Sequence, residues 1–107
     1  MWKSISQVLA DQFGAYYLIK EKECVHRGEI HEAWIISDGI QAVFVKANER
    51  SYRSMFRAEA DQLEMLRKIN AFRLPMVYGV GCSSKHSFLL LEALPISQQS
   101  SLTEDFG

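Results

Sequence analysis

The sequence has little of what marks several large classes of protein. It contains two cysteines and two prolines in 107 residues, and no stretch approaches the roughly 20 apolar residues that a membrane-spanning helix needs. Cys24 and Cys82 form neither a CxxC pair nor a metal-ligand spacing with the histidines, so reduced thiols are expected. The start, Met1-Trp2-Lys3-Ser4, has no apolar run typical of a signal peptide. We therefore expect a cytoplasmic protein with no membrane partner.

An excess of one charge sign is also missing. Twelve lysines and arginines nearly balance 13 aspartates and glutamates, for a net charge of −1. A nucleic-acid site needs clustered basic side chains that neutralise several phosphates. Arg50, Arg53, Arg57, Arg67 and Lys68 are instead interleaved with acidic residues, as on an ordinary solvated helix face. We expect no nucleic-acid partner.

What the sequence does contain is regular apolar patterning, enough for one modest domain or one lobe of a larger one. Asp38-Gly39 is a strong hairpin signal, and the unbroken run from Phe88 to Leu91 indicates a strand buried on both faces. The short links favour an α+β fold with a five-stranded antiparallel sheet and packed helices. The predicted elements are a short N-terminal helix ending at Gly14, strands over 16–25, 30–37, 40–47, 76–80 and 87–92 with a turn over 81–85, and a helix over about 52–69.

Two charged residues occupy apolar positions of these elements. Lys46 shares a strand face with Ala42 and Phe44, and Glu59 interrupts the helix stripe that begins at Phe56 and continues at Leu63. Each charge alone could be ordinary: a strand-end lysine that reaches water, or a glutamate at the edge of a stripe. Their separation of 13 positions, however, suits a strand lysine that pairs with a helix glutamate beside nucleotide phosphates. We therefore predict that they lie within salt-bridge distance.

Four segments, in order and at suitable separations, resemble the fructosamine kinase family, especially its bacterial branch of fructosamine-3-kinase-like proteins. They are Val43–Lys46, Met55–Leu63, Leu74–Gly81 and Ser87–Glu92, and the opening five residues fit as well. Members of that family share the protein-kinase-like fold and use ATP and magnesium to phosphorylate a sugar hydroxyl of ketoamines on glycated amines. The resemblance implies a nucleotide-binding N-terminal lobe over residues 1–95. Residues 96–107 would be the exit from the hinge and the start of a C-terminal lobe.

The resemblance also implies roles for individual residues in ATP binding. Lys46 would hold the α- and β-phosphates, and Glu59 would fix its direction. Gly28 would lie in the loop of residues 27–33 that covers the phosphates, although a plain turn glycine is an equal alternative because the loop lacks GxGxxG.

The same resemblance places the adenine at the end of the last strand. Leu91 would lie behind the adenine, or would be an ordinary core residue, and the two roles are compatible. Glu92, Ala93 and Leu94 would form the hinge, whose backbone groups receive the adenine edge.

The departure from the family is length. No His-Gly-Asp segment occurs in the sequence, so we expect this chain to have no catalytic residue and no metal site, and to be inactive alone. ATP and Mg²⁺ would belong to the full-length protein, ATP would bind this chain weakly or not at all, and a glycated amine would bind only with a C-terminal lobe. The alternative is a stand-alone interaction module, with a homodimer formed through the surface that should face that lobe.

Overall fold

The structure is a computed structural model that describes residues 1–28, 31–69 and 74–93. Within these ranges the chain forms two α-helices and one five-stranded sheet, in the strand order β1-β2-β3-β5-β4, and every neighbouring pair is antiparallel. The predicted α+β architecture is confirmed. Leu94 and the segment 96–107 lie outside the described residues. The elements are α1 (Trp2–Phe13), β1 (Glu21–Arg27), β2 (Glu32–Ser37), β3 (Ala42–Glu49), a 3₁₀ turn (Arg50–Tyr52), α2 (Arg53–Ile69), β4 (Val77–Cys82) and β5 (His86–Glu92).

The sheet has one helix on each face. Along β3, Val43, Val45 and Ala47 point to the side of α1, where Val43 and Val45 join Ile5 and Leu9 in the larger core cluster. The residues between them point to the other side, where Phe44 packs with Phe56 and Ala60 of α2. This alternation follows from the two-residue repeat of a strand. We refer to the two sides as the α1 face and the α2 face.

Strand β5 is buried on both of these faces, as its sequence predicted. Phe88 and Leu90 contribute to the cluster on the α1 face, and Leu89 and Leu91 to the cluster on the α2 face. The neighbouring Ser87 is fully buried too, and its hydroxyl donates a hydrogen bond of 2.7 Å to the carbonyl oxygen of Glu49. A central strand between two helices thus explains why its sequence is apolar without alternation.

Helix α1 ends where the sequence placed its end. Gly14 has φ 71° and its N–H bonds the carbonyl oxygen of Ala10, a left-handed cap that glycine adopts without steric cost. At the other end Trp2 packs edge-on against Trp34 of β2, with ring centroids 5.0 Å apart. These contacts fix α1 across the sheet.

Most predicted strand limits differ from the observed ones, and two of the errors have a physical reason. The first strand begins at Glu21 rather than at residue 16, because Glu21 pairs with Ser37, the last residue of β2. Tyr17 is a core anchor instead: its hydroxyl donates a 2.7 Å hydrogen bond to the carbonyl oxygen of Gln41, and burial, with Asp38 nearby, raises the pKa of Tyr17 to about 12. Gly81, predicted in a turn, belongs to β4, where it pairs with Phe88 of β5. A Cβ atom at residue 81 would lie 2.9 Å from the Phe88 ring, so glycine allows this close pairing.

The hairpin between β2 and β3 is closed by Asp38. Its Oδ1 accepts hydrogen bonds from the backbone N–H groups of Ile40 and Gln41, at 2.9 and 2.8 Å. Gly39 has φ 96°, which favours glycine. The predicted hairpin is therefore present, with residues 38–41 as its connection rather than Asp38-Gly39 alone.

The two backbone hydrogen bonds to Asp38 predict a pH-dependent contribution to stability. They hold the pKa of Asp38 below its usual 3.8, Gln41 having the larger effect. A carboxyl whose pKa is lowered on folding stabilises the fold above the unfolded pKa, and loses that contribution as the pH falls through the lowered value. Asp38→Ala should therefore lower the Tm measured by circular dichroism at neutral pH, and the difference from wild type should shrink below pH 3.8. Asp38→Asn keeps an acceptor that does not titrate, so its loss of Tm at neutral pH should be smaller than that of Asp38→Ala, and it too should shrink as Asp38 of the wild type becomes protonated.

Candidate functional site

Lys46 and Glu59 are in contact, as predicted. The Nζ atom of Lys46 lies 2.7 Å from Oε2 of Glu59, a short charge-assisted hydrogen bond. The lysine side chain is 24% exposed and the glutamate side chain 35%, so the pair is partly shielded and still open to a ligand. Lys46 does not simply extend into water, and Glu59 is not an unpaired residue at the edge of a stripe.

The sheet and α2 together determine this geometry. Lys46 lies near the middle of the sheet, between Ala33 of β2 and Leu89 of β5, and both neighbours are buried. Phe56 and Ala60 of α2 pack on the same face, and the fully buried Ala60 is small enough to let the helix approach closely. The helix therefore carries Glu59 to the ammonium group of Lys46.

The Lys46–Glu59 pair is suited to bind an anion on the exposed side of the ammonium group. An ammonium group has three N–H donors, and one of them is directed at Glu59. A carboxylate at this distance restricts the otherwise flexible lysine, so less entropy is lost when phosphate oxygens bind it. By contrast, Arg57 and Asp61 of the same helix form a looser pair at 3.9 Å with both side chains more than half exposed. That pair serves as a natural control for the first.

The loop that was predicted to cover the phosphates begins at the end of β1. The N–H of Gly28 donates to the carbonyl oxygen of His31 at 3.1 Å, which closes the base of the loop. Arg27 lies 3.9 Å from Glu32 and 5.8 Å from the ring centroid of Trp34. A hydrogen bond to the thiol of Cys24, followed by the charges nearby, raises the pKa of the Arg27 guanidinium. The contact of Gly28 with phosphates stays a prediction.

A pair of histidines at the base of this loop was not predicted. The rings of His26 and His31 are 5.3 Å apart between centroids and inclined by 37°. His31 also lines a surface cavity of about 200 Å³ together with Gly28 and Asn48. In the described part of the chain, Nδ2 of Asn48 is buried without a hydrogen-bond partner. The available signal was the position of two of the three histidines on either side of the single loop glycine.

The predicted adenine end lies where β5 ends. Leu91 is 6% exposed and packs in the cluster on the α2 face, so it is core whether or not adenine binds beside it. The N–H of Glu92 donates to the carbonyl oxygen of Met76 at 2.8 Å, and Oε1 of Glu92 accepts from the N–H of Met76 at 3.1 Å. An amide that receives adenine would therefore come from a residue after Glu92. Leu94 lies outside the described residues, and a homodimer through this surface stays a prediction.

The described residues contain neither a metal-ligand cluster nor a membrane-spanning helix. No three His, Cys, Asp or Glu side chains in residues 1–28, 31–69 and 74–93 converge as a metal-binding cluster. In the same ranges, neither helix combines the length and apolar character needed to traverse a bilayer.

The family model for fructosamine kinase matches residues 1–107, the whole sequence. The chain belongs to the fructosamine kinase family. A probable ketoamine kinase of Pasteurella multocida is 68% identical over 98 residues, which are 92% of this chain and 34% of that protein. A probable ketoamine kinase of Vibrio cholerae is 40% identical over 94 residues, covering 88% of this chain and 33% of its own length. The chain thus spans about a third of these relatives.

Solved structures agree with this assignment. A provisionally assigned fructosamine-3-kinase of Haemophilus somnus 129PT superposes with a TM-score of 0.84 at 68% identity, over 89% of this chain and 32% of its own. The aminoglycoside phosphotransferase APH(4)-Ia, solved with AMP-PNP and hygromycin B, superposes with a TM-score of 0.53 at 17% identity, over 84% of this chain and 29% of its own. At that identity the likeness concerns the fold alone. The predicted kinase-like N-lobe is confirmed as the fold of the described residues.

Proposed function

We propose that this chain is the nucleotide-binding lobe of an ATP-dependent ketoamine kinase. The observation that carries the proposal is the 2.7 Å contact of Lys46 with Glu59 on the α2 face, in a chain of the fructosamine kinase family. In this assignment Lys46 binds the α- and β-phosphates and Glu59 directs it. Placement of a cation beside phosphates is one of the main devices of phosphoryl transfer, where the protein mostly positions groups and neutralises charge.

The strand register supports an extended nucleotide along β3 and β5. Lys46 pairs with Leu89, and Glu92 is three residues farther along β5, a distance of about 10 Å at the usual rise of a strand. The opposite direction leads to the loop, because Ala47 pairs with Glu32. A bound nucleotide would therefore lie along the strands, with its adenine near Leu91, Glu92 and Leu94 and its phosphates between Lys46 and Gly28.

The proposed reaction also requires a substrate and a metal ion. ATP with Mg²⁺ would phosphorylate a sugar hydroxyl of a ketoamine on a glycated amine, in a protein of the length of the relatives. The 107 residues contain no His-Gly-Asp segment, so a catalytic base and a magnesium ligand of that kind would come from a C-terminal lobe. The chain by itself provides one wall of the cleft and should bind ATP weakly, with a Kd of about 1 mM, which corresponds to about −4 kcal/mol.

An ATP titration of the 107-residue chain, followed in ¹⁵N–¹H NMR spectra, tests the proposal. Resonances of Ala33, Lys46 and Leu89 should shift, while those of Ile5 and Leu9 on the α1 face should not. Lys46→Met should weaken binding about tenfold or more, because a hydrogen bond to a charged group contributes about 1.5–3 kcal/mol. Glu59→Gln should weaken it less, since the amide oxygen can still accept from the ammonium group.

The matched control is the exposed pair on the same helix. Arg57→Met and Asp61→Asn remove an ion pair of α2 without touching the proposed site, and ATP affinity should not change. The double variant Lys46→Met with Glu59→Gln should bind no more weakly than Lys46→Met alone, because Glu59 acts through the lysine. If ATP shifts no resonance around Lys46 at any accessible concentration, the nucleotide assignment of this pair is wrong.

A further inference from the structure

The loop between β1 and β2 lacks the glycine-rich sequence of a typical phosphate-binding loop. Phosphate-binding loops usually contain several glycines, which let backbone N–H groups approach the anion closely. Here Gly28 is the single glycine of residues 27–33, and its N–H already donates to the carbonyl oxygen of His31. Side chains that flank the loop are therefore possible donors in place of the Gly28 amide.

Arg27, the single lysine or arginine of residues 27–33, is directed away from the proposed phosphate site. Arg27 pairs in register with Glu32, and Glu32 pairs with Ala47, which lies on the α1 face. There the guanidinium contacts the carboxylate of Glu32 and the ring of Trp34. Arg27 is thus held on the side of the sheet opposite to Lys46.

The two histidines lie on the side of Lys46. His26 pairs with Ala33, and Ala33 pairs with Lys46, and residues paired directly across antiparallel strands point to the same face. The ring of His31 packs against that of His26 at 5.3 Å. His31 also borders, with Asn48, a cavity of about 200 Å³ at the end of the sheet, whose lining includes Glu32, Glu49 and His86 as well.

Gly28 has a role in this arrangement that does not require backbone contact with a ligand. A side chain at residue 28 would place its Cβ atom 2.6 Å from Nε2 of His26, closer than real contacts allow. Glycine at this position leaves room for the His26 ring across the base of the loop. The position of the ring and the identity of residue 28 are therefore coupled.

We infer that His26 and His31 form a phosphate-binding pair, whose ring N–H groups contact the terminal phosphates of a nucleotide in place of the amides of a glycine-rich loop. The inference rests on the proposed function, because it places the terminal phosphates beyond Lys46 toward the loop. The ligand class is a nucleoside triphosphate, with its polyphosphate as the recognised part.

The test uses the 107-residue chain and three probes: ATP, inorganic tripolyphosphate and adenosine. The ring resonances of His26 and His31 in ¹³C–¹H spectra should shift with ATP and with tripolyphosphate, and not with adenosine. His31→Ala and His26→Ala should each weaken ATP binding about threefold to tenfold, as expected for one lost hydrogen bond. His31→Gln retains a side-chain donor and should recover part of the affinity.

Lys22 provides the control for the histidine variants. It lies on β1 like His26, but it pairs with Ile36 of the α1 face and its Nζ lies 4.9 Å from the ring centroid of Trp2. Lys22→Ala should leave the affinity for ATP and for tripolyphosphate unchanged. A loss as large as that of His31→Ala would show a general charge effect and overturn the inference.

A double-mutant cycle separates the two roles of Gly28. The atom that a new Cβ meets is the end of a flexible side chain, so Gly28→Ala should displace the His26 ring with little change in Tm. It should then weaken ATP binding about as much as His26→Ala, and have no further effect in the His26→Ala background. A further loss in that background would mean that the backbone at Gly28 contacts the phosphates, and the role inferred for His26 would be wrong.

The NMR titration also distinguishes failure of this inference from failure of the proposed function. If the resonances around Lys46 shift but those of the histidine rings do not, and if the histidine variants bind ATP like wild type, the histidine pair is overturned. The nucleotide assignment then stays intact. Absence of shifts around Lys46 would overturn both.

Discussion

A chimera in which residues 1–107 replace the matching third of the Pasteurella multocida relative should phosphorylate a ketoamine with ATP and Mg²⁺, whereas the 107-residue chain alone should not. The two proteins are 68% identical over the matched region, so the exchanged lobe should fit its partner. In that chimera, Lys46→Met should lower kcat/KM by about 10²- to 10³-fold, the usual effect of removing one preorganised group that stabilises transition-state charge. Steady-state kinetics of phosphorylated ketoamine formation provide the measurement.

The expected loss is larger in turnover than in ATP binding. Lys46 can contact phosphates in the ground state, but its fixed direction matters most as charge shifts during transfer, and only interactions that strengthen in the transition state raise kcat. Glu59→Gln should therefore lower kcat while the KM for ATP changes less. Since Arg57 is outside the site, Arg57→Met should have wild-type kinetics. Turnover by the 107-residue chain alone would contradict the assignment of the chemistry to another lobe.

The Lys46–Glu59 pair could be predicted from sequence because each charge violates a local rule. A lysine in an apolar strand and a glutamate in an apolar helix stripe need partners, and the chain between them is a short turn and the start of α2. The same local consistency made β5 and the end of α1 predictable. In these places propensity, patterning and burial agree.

Two of the features that were missed depend on partners distant in sequence, and the third depends on the register of a strand pair. The start of β1 is set by the length of β2, since Ser37 is the last residue available for pairing. Tyr17 has strand-like character, yet its side chain is a core anchor bonded to Gln41. The contact of His26 with His31 depends on the β-bulge between Cys24 and His26, because a shift of one residue changes the face to which a side chain points. No local pattern encodes such a shift.

Strand β5 contributes both to the stability of the fold and to the geometry of the site. Truncation of its buried leucines should cause the largest change in stability. Leu90 is fully buried on the α1 face, and Leu89, its neighbour, is fully buried on the α2 face, paired with Lys46. Leu90→Ala and Leu89→Ala should each lower the free energy of unfolding by about 2–5 kcal/mol, a large part of the roughly 5–15 kcal/mol typical of a domain. Urea unfolding followed by circular dichroism measures both, and Ile40→Ala, at a side chain 95% exposed, is the control.

The two leucine variants should differ in how they affect the site. Leu89 packs with Phe56 and Ala60, so its truncation removes support from the helix that carries Glu59. Leu90 packs on the other side, with Ile5 and Leu9 of α1. At a temperature where both variants are still folded, Leu89→Ala should weaken ATP binding and Leu90→Ala should not. Equal losses of affinity would mean that the sheet transmits packing defects through its thickness, and that α2 is not positioned by its own face alone.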